Sequence, residues 1–293
     1  MLRWRLILGT AFIAALVGLV YLDVRAAAES ELPPGLFLLP LALTIAAAAT
    51  REFVSFVQLR DPTFDGRLLQ VGNWAIVASP WFGACVGGTD SVGRWQLFIF
   101  TLTVLAVFLG EIVRYDKDKS QRVTERLAAS MLGLAYVGLL MSFVVRLRLL
   151  PAGIFPLVLM LVVVKMADTG AYAVGRMIGK RKLAPKLSPG KTWEGFFGGL
   201  LFSVLGGLAT AYFFGVKLTG DHNLTTSLIA LALVVGTVGV IGDLAESLLK
   251  RDYGRKDSSD WMPGFGGVLD LIDSPLFAAP VAWAFWEFGW ILP

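Results

Sequence analysis

The strongest candidates for chemistry stand at the end of a long apolar run in the C-terminal half of the chain. Asp243, Glu246, Ser247 and Lys250 are spaced i, i+3, i+4 and i+7, so a helix would place all four on one face. Ionisable residues at membrane depth usually face a polar cavity, a partner or a bound ion, because lipid solvates charge poorly. The spacing therefore predicts a functional polar stripe rather than a solvated helix end.

A second pair of carboxylates, Asp270 and Asp273, begins the last apolar run and also shares one helical face. Two adjacent helices that open on the same side would bring the two acidic groups together. Mg²⁺ prefers oxygen ligands and commonly takes one or two carboxylates together with substrate phosphates. The acidic residues therefore predict a Mg²⁺ site.

Basic residues follow the first stripe at Lys250, Arg251, Arg255 and Lys256, where they could neutralise phosphate groups. Acids that hold a metal beside bases that hold phosphate indicate phosphoryl or nucleotidyl transfer. Catalysis of this kind depends largely on positioning and charge stabilisation. The only histidine, His222, falls in a predicted outer loop, so we expect no histidine base at this site.

Another polar group lies between the sixth and seventh apolar runs. It comprises Asp168 and Tyr172, followed by the stretch Ser-Pro-Gly-Lys-Thr-Trp-Glu at residues 188–194. Gly190-Lys191-Thr192 is similar to the end of a P-loop, but Pro185 stands where the first glycine should be and no strand is predicted before it. We instead predict a Ser-Pro turn into the seventh helix, with Thr192 or Ser188 as N-cap and Lys191 available to an anion.

These residues belong to a strongly apolar chain. Of its 293 residues, 56% are hydrophobic and only 16% are charged, against about 25% charged in soluble domains. The net charge of +4 comes from short basic clusters between apolar runs, which is the topology signal of membrane proteins rather than a nucleic-acid surface. The composition excludes an ordinary soluble domain and predicts a membrane protein.

Apolar runs long enough to span a membrane predict an all-α, polytopic protein with about nine transmembrane helices. They lie near residues 5–23, 34–50, 70–88, 95–113, 126–146, 150–168, 194–216, 224–247 and 268–291. Most Lys and Arg residues fall on one side if the N-terminus is cytoplasmic. We therefore expect a multi-pass protein of the cell membrane, with the polar loops 168–193 and 248–267 facing the cytoplasm.

The two halves of the chain are expected to differ in role. Residues 1–150 would hold about five N-terminal spans, and residues 151–293 would form the catalytic region, since the polar motifs lie there. Glycines such as Gly195 and Gly199 would let neighbouring helices approach closely.

Several C-terminal stretches are specific enough to indicate a family. They are Ser247-Leu248-Leu249-Lys250-Arg251, Lys256-Asp257, the run from Pro263 to Asp273, Asp168-Thr169-Gly170-Ala171-Tyr172, and the run from Ser188 to Gly195. Together they closely resemble the signature of the phosphatidate cytidylyltransferases, also called CDP-diacylglycerol synthases. The resemblance covers roughly residues 160–293, whereas the N-terminal half matches only in being hydrophobic.

The resemblance implies that phosphatidate attacks the α-phosphorus of CTP, with Mg²⁺ assistance, to give CDP-diacylglycerol and pyrophosphate. It implies catalytic roles for Asp243, Asp270, Lys250 and Arg251, and one cation or a pair of cations on Asp243 and Asp270, supported by Asp273 and Glu246. The substrate-binding residues that it implies are Asp168, Tyr172, Ser188, Lys191, Thr192, Ser247, Lys256 and Asp257. It also suggests a homodimer.

Two positions depart from the family pattern. Phe265 and Leu271 stand where the family usually has His and Arg, and we expect this to alter the rate or the preferred lipid rather than the reaction class.

Two other function classes combine many spans with acidic loops. One is a CTP-dependent lipid kinase related to dolichol or phytol kinases, and the other is a transporter whose aspartates bind a coupling ion. A lipid kinase releases CDP, whereas a cytidylyltransferase releases pyrophosphate, so the products distinguish these two enzymes.

Overall fold

A computed structural model describes residues 2–116, 122–216, 222–259 and 266–291. The described chain forms nine helices and one small hairpin. In order these are α1 (Leu2–Glu29), α2 (Leu38–Arg60), α3 (Arg67–Gly87), α4 (Val92–Arg114), α5 (Val123–Leu149), α6 (Phe155–Ile178), β1 (Lys182–Ala184), β2 (Ser188–Thr192), α7 (Trp193–Phe213), α8 (His222–Asp252) and α9 (Val268–Glu287). A π-helical turn at Leu134–Leu139 lies within α5.

The nine helices follow the nine predicted apolar runs, so the all-α prediction is confirmed. Among the described residues, seven helices are long and apolar enough to cross a membrane. Many large apolar side chains on them face outward, as expected of a surface in contact with lipid. The protein is therefore a multi-pass membrane protein, and membrane crossing by α1 and α3 stays a prediction.

The polar loops are shorter than predicted because two helices continue beyond their apolar runs. Helix α6 ends at Ile178 rather than at residue 168, and α8 ends at Asp252 rather than at residue 247. No proline or glycine pair interrupts α6 near residue 168, and its last turn closes when the Gly179 N–H donates to the Gly175 carbonyl. The end of an apolar run marks where the chain leaves the lipid. The end of a helix is marked instead by helix-breaking residues.

The predicted Ser-Pro turn before α7 is wrong. Ser188–Thr192 is instead a strand that pairs antiparallel with β1, with Ala184 opposite Ser188 and Lys182 opposite Thr192. Ser188 is therefore a strand residue and not an N-cap. The prediction that Thr192 caps the following helix is confirmed, since its Oγ1 accepts a hydrogen bond from Gly195 N at 3.1 Å.

Helices α6 and α7 pack with their backbones almost in contact, as the glycines predicted. A Cβ added at Gly195 would lie 2.7 Å from the Ala171 carbonyl oxygen, and one at Gly199 would lie 2.8 Å from the Ala167 carbonyl oxygen. Only hydrogen fits at these positions. This close approach holds the polar end of α6 beside the hairpin.

Helix α9 joins the two hydrophobic cores of the bundle. Leu269 and Leu276 pack into a core formed largely by α2, α3 and α5, whereas Ala278 and Ala282 pack into a core formed largely by α6 and α8. Its most apolar window is 61% buried, more than that of any other candidate span. The start of α9, with Asp270 and Asp273, is therefore held by elements from both halves of the chain.

Helix α1 is attached to the bundle by a buried ion pair that the sequence did not reveal. Asp23 Oδ2 lies 2.7 Å from Arg148 Nε, and these side chains are 0% and 5% exposed. The same carboxylate accepts hydrogen bonds from Gly35 N at 3.2 Å and Phe37 N at 3.0 Å. Asp23 therefore fixes both the position of α1 and the turn that leads into α2.

We expect Asp23→Asn to destabilise the fold, because it leaves the buried Arg148 guanidinium without a counter-charge. Removing one partner of a buried ion pair costs about 3–5 kcal/mol. Thermal unfolding in detergent should show a lower midpoint for this variant. Asp90→Asn, a matched change at an exposed position, should leave the midpoint unchanged, and an equal midpoint for Asp23→Asn would contradict the assignment.

Candidate active site

A cleft of about 400 Å³ lies between α6, the hairpin, α7 and α8. This volume falls in the range of small-molecule sites. Six of the sequence-predicted site residues line it, three of them from the hairpin: Asp168, Tyr172, Ser188, Lys191, Thr192 and Asp243. Residues separated by up to 75 positions in the chain are thus brought to one cavity.

An acid and a base meet across this cleft. Lys191 Nζ, on β2, lies 2.8 Å from Asp243 Oδ2, on α8, at ion-pair distance. The Lys191 side chain is 21% exposed and the Asp243 side chain is 36% exposed. The contact is an ion pair whose geometry is not that of a hydrogen bond. The cleft therefore presents a cation suited to phosphate, from β2, opposite an anion suited to a metal ion, from α8.

The α6 wall of the cleft carries further polar groups. Asp168 Oδ2 lies 3.5 Å from Lys165 Nζ one turn earlier. Arg176 Nη1 donates to the Tyr172 hydroxyl at 2.8 Å, and both of these residues line the cleft. Arg176 was not among the predicted site residues. It adds a guanidinium group to the α6 side of the cleft.

A second group of charges lies behind the cleft, where α8 meets α9. Lys250 Nζ lies 2.5 Å from Glu246 Oε2 and also forms an ion pair with Asp270. The whole of Glu246 is 1% exposed and Lys250 is 8% exposed. The predicted polar stripe on α8 is thus present, and its lysine contacts carboxylates of both helices.

Asp270 organises the start of α9. Its Oδ2 atom accepts hydrogen bonds from Gly267 N at 2.8 Å, Ser258 N at 2.9 Å and Ser258 Oγ at 2.6 Å. Its Oδ1 atom contacts Lys250. A carboxylate at the third position of a helix both satisfies free N–H groups and complements the helix dipole. Asp270 therefore ties Ser258 to the start of α9, whatever ligand it also binds.

Asp273 and Ser247 lie beside these groups. Asp273 is 6% exposed, and one of its oxygens accepts from Ser274 N at 2.6 Å. The backbones of α8 and α9 touch here, since a Cβ added at Gly242 would lie 2.6 Å from the Asp273 carbonyl oxygen. Ser247 Oγ lies 3.5 Å from Asp243 Oδ1 on the same face of α8.

Three predicted residues do not line the cleft. Arg251, Lys256 and Asp257 are exposed, and Arg251 Nη1 donates to the carbonyl of Arg255 at 3.1 Å. Their predicted roles stay predictions. Phe265 lies outside the described residues. Leu271 is described, and its carbonyl accepts from Lys165 Nζ at 3.2 Å, so a lysine from α6 places a positive charge beside this position.

The largest omission of the sequence analysis is Glu52, on α2. Its carboxylate accepts from the N–H groups of Val268 at 2.9 Å and Leu269 at 2.8 Å, and from the hydroxyls of Ser258 at 3.0 Å and Ser259 at 2.9 Å. One hydroxyl, Ser258 Oγ, thus bridges Glu52 and Asp270. The N-terminal half of the chain therefore holds Ser258, Ser259 and the first turn of α9.

The donor chemistry around Glu246 fits a hard cation. The described ranges contain no group of three or more Asp, Glu, His and Cys side chains already arranged to hold a metal ion. Both oxygens of Glu246 are nevertheless buried without a hydrogen-bond donor, and Lys250 supplies the positive charge beside them. Asp243 lies one turn before Glu246 on α8, and Asp270 and Asp273 lie on the facing helix α9, so these four carboxylates are the residues that would hold Mg²⁺.

A multi-pass helical bundle with a charged cleft, and with carboxylates where two helices meet, is the architecture expected of an integral membrane enzyme that acts on phosphate groups. The sequence profile of the Cytidylyltransferase family matches residues 5–288, which is nearly the whole chain. The protein belongs to this family.

Curated relatives agree with this assignment. A protein of Haemophilus influenzae named phosphatidate cytidylyltransferase is 48% identical over 128 residues, which is 44% of each chain. Proteins of the same name from Staphylococcus aureus and Staphylococcus epidermidis are each 32% identical. The former alignment covers 84% of this chain and 88% of the relative, and the latter covers 93% and 95%. The resemblance seen in the C-terminal half therefore extends through the N-terminal helices.

Proposed function

We propose that the protein transfers CMP from CTP to phosphatidate and releases pyrophosphate. A phosphate oxygen of phosphatidate forms a bond to the α-phosphorus of CTP, and the bond from that phosphorus to the pyrophosphate oxygen breaks. The product is CDP-diacylglycerol. Family membership over most of the chain and the chemistry of the cleft support the same reaction.

The observation that carries the proposal is the convergence of Lys191 and Asp243 on one cleft. Opposite charges in one cleft suit a metal-bound triphosphate, which carries both negative charge and a cation. Lys191 would contact the phosphates of CTP, while Asp168, Tyr172 and Ser188 shape the pocket. The Thr192 hydroxyl oxygen already caps α7, so this residue positions the lysine beside it.

The carboxylates of α8 and α9 supply the second part of the site. Asp243 and Asp270, supported by Glu246 and Asp273, would hold Mg²⁺, or a pair of cations, which neutralises the charge that develops on the leaving pyrophosphate. Lys250 would bind either phosphate or its present partners, Glu246 and Asp270. We propose that Arg251, Ser247, Lys256 and Asp257 assist from the edge of the site.

Phosphatidate needs no general base from the protein. A phosphate monoester has a second pKa of about 6, so it is largely a dianion at neutral pH. The main barrier is then the repulsion between two anions, which lysines and a metal ion relieve.

We also propose an arrangement in the membrane. The N-terminus and the cleft would face the cytoplasm of a cell membrane, because this orientation places most Lys and Arg residues inside. Residues 151–293 would supply the catalytic groups and residues 1–150 would support them. The family resemblance further leads us to propose a homodimer.

The test is product analysis with the whole protein in detergent micelles that contain phosphatidate, CTP and Mg²⁺. We expect equal amounts of CDP-diacylglycerol and pyrophosphate, and no product when a chelator removes Mg²⁺. Release of CDP with a phosphorylated lipid would instead establish a kinase. Folded protein that makes neither product but moves an ion across vesicles would establish a transporter.

A further inference from the structure

A second cavity lies in the N-terminal half, along α2 and α3. This groove has a volume of about 930 Å³, and most of its lining is apolar: Leu43, Ala47 and Ala48 on α2, with Trp74 and Ala78 on α3. Its α2 lining continues to residue 55, which is a length of about 18 Å along the helix. The groove is thus long, apolar and formed by residues of two adjacent helices.

One end of this groove is polar, and nearly all of its polar groups are committed to one another. Ser259 Oγ donates to Glu52, and Ser55 Oγ donates to the Glu52 carbonyl at 2.7 Å. Glu52 itself is 7% exposed, and its carboxylate accepts hydrogen bonds from the first N–H groups of α9. These groups leave little capacity for a ligand.

Arg51 is the exception at this polar end. It lines the groove and is exposed, and in the described part of the chain its guanidinium has no hydrogen-bond or ion-pair partner. It stands nine residues before the end of α2, which is about 14 Å along a helix that qualifies as a membrane span. An arginine at such depth is costly unless it pairs with an anion.

The polar end of the groove is connected to the candidate active site. Glu52 follows Arg51 directly, and Ser258 Oγ contacts both the Glu52 and the Asp270 carboxylates. Asp270 in turn pairs with Lys250. An anion on Arg51 would therefore lie next to the network that holds the acidic residues, while its apolar part could extend along the groove toward lipid.

We propose that this groove binds phosphatidate, with an acyl chain between α2 and α3 and the phosphate on Arg51. The occupant follows from the lining, since an apolar channel that ends at an unpaired arginine complements a lipid with an anionic headgroup. The inference rests on the proposed function for the identity of the lipid. It assigns the N-terminal helices a direct part in substrate binding.

The first test uses phosphatidate that carries a photoreactive diazirine on an acyl chain, and it needs no turnover. After irradiation of the whole protein in micelles, we expect labelled residues on α2 and α3 within 43–55 and 74–78. Unlabelled phosphatidate should compete. Ala47→Phe, which fills the groove, should abolish labelling there. Labelling confined to other helices would overturn the proposal.

The second test separates the headgroup contact from the reaction. Arg51→Gln should raise the KM for phosphatidate about tenfold or more, which is the effect of one charge-assisted hydrogen bond, and leave the KM for CTP unchanged. Folding should not suffer, because the change removes an exposed charge from a membrane span. Arg67→Gln, at a side chain that is 94% exposed at the start of α3, is the matched control and should have no effect.

These outcomes distinguish the inference from the proposed function. An active wild-type protein whose KM for phosphatidate is unaffected by Arg51→Gln would refute the groove assignment and leave the reaction intact. If the wild-type protein makes no CDP-diacylglycerol but is photolabelled in the groove, the proposed reaction is refuted and the lipid site in the groove is retained.

Discussion

The Asp243→Asn variant is expected to form CDP-diacylglycerol about 10³-fold more slowly than the wild-type protein. Asparagine has nearly the same shape as aspartate, so the cleft should keep its form. It removes the negative charge that would hold Mg²⁺ and that lies 2.8 Å from Lys191. Lys191 would then lack its counter-charge, and the metal-bound triphosphate would lose a ligand at the point where charge develops.

A matched control is available on the same helix. Asp252→Asn makes the same chemical change nine residues later, where Asp252 forms an exposed ion pair with Arg60, and its activity should stay within about twofold because such pairs contribute little. Initial rates with radiolabelled CTP should be measured over a range of Mg²⁺ concentrations. Wild-type turnover by Asp243→Asn at low Mg²⁺ would remove Asp243 from the metal site.

The sequence was sufficient to predict which segments are helical, because lipid requires long apolar runs whose backbone groups are paired internally. It placed several helix ends wrongly because an apolar run marks only the part of a helix that lies in lipid. The run before Asp168 stops being apolar while its helix continues for ten residues to Ile178. The prediction therefore assigned Asp168 and Tyr172 to a loop, although they lie on a helix that projects beyond its apolar segment.

The sequence also predicted Asp168, Lys191 and Asp243 as site residues, and all three line the cleft. It could not pair Lys191 with Asp243, because that contact depends on the tertiary position of a short hairpin. Glu52 was missed because the second apolar run was ended at residue 50. The continuing helical pattern through Phe53, Phe56 and Val57, all buried, was the signal that could have placed Glu52 inside the bundle.

Glu52 leads to the second large effect. Four donors point at its carboxylate, and two of them are the N–H groups that begin α9. A helix N-terminus carries a partial positive charge that a carboxylate complements. Glutamine at this position would turn an amide N–H₂ group toward at least one of these donors, and a buried donor without an acceptor costs about 1–3 kcal/mol.

We therefore expect Glu52→Gln to loosen the loop before α9 and to disturb Asp270 through Ser258, which both carboxylates share. Changes to groups that orient metal ligands typically cost about 10–100-fold in metal affinity or activity. The apparent Mg²⁺ requirement for CDP-diacylglycerol formation should rise by this amount. Glu125→Gln, at a side chain that is 70% exposed, should leave the Mg²⁺ requirement unchanged.

The Mg²⁺ titration decides how Glu52 acts. If Glu52 only stabilised the fold, Glu52→Gln would reduce the amount of active protein, and the molecules that remain folded would keep the wild-type Mg²⁺ requirement and KM for CTP. If Glu52 positions Asp270, the folded molecules themselves should need more Mg²⁺. The titration should therefore be made on material whose folded fraction is known from its thermal midpoint. A shifted requirement would mean that an acid of the N-terminal half sets the metal affinity of the C-terminal site.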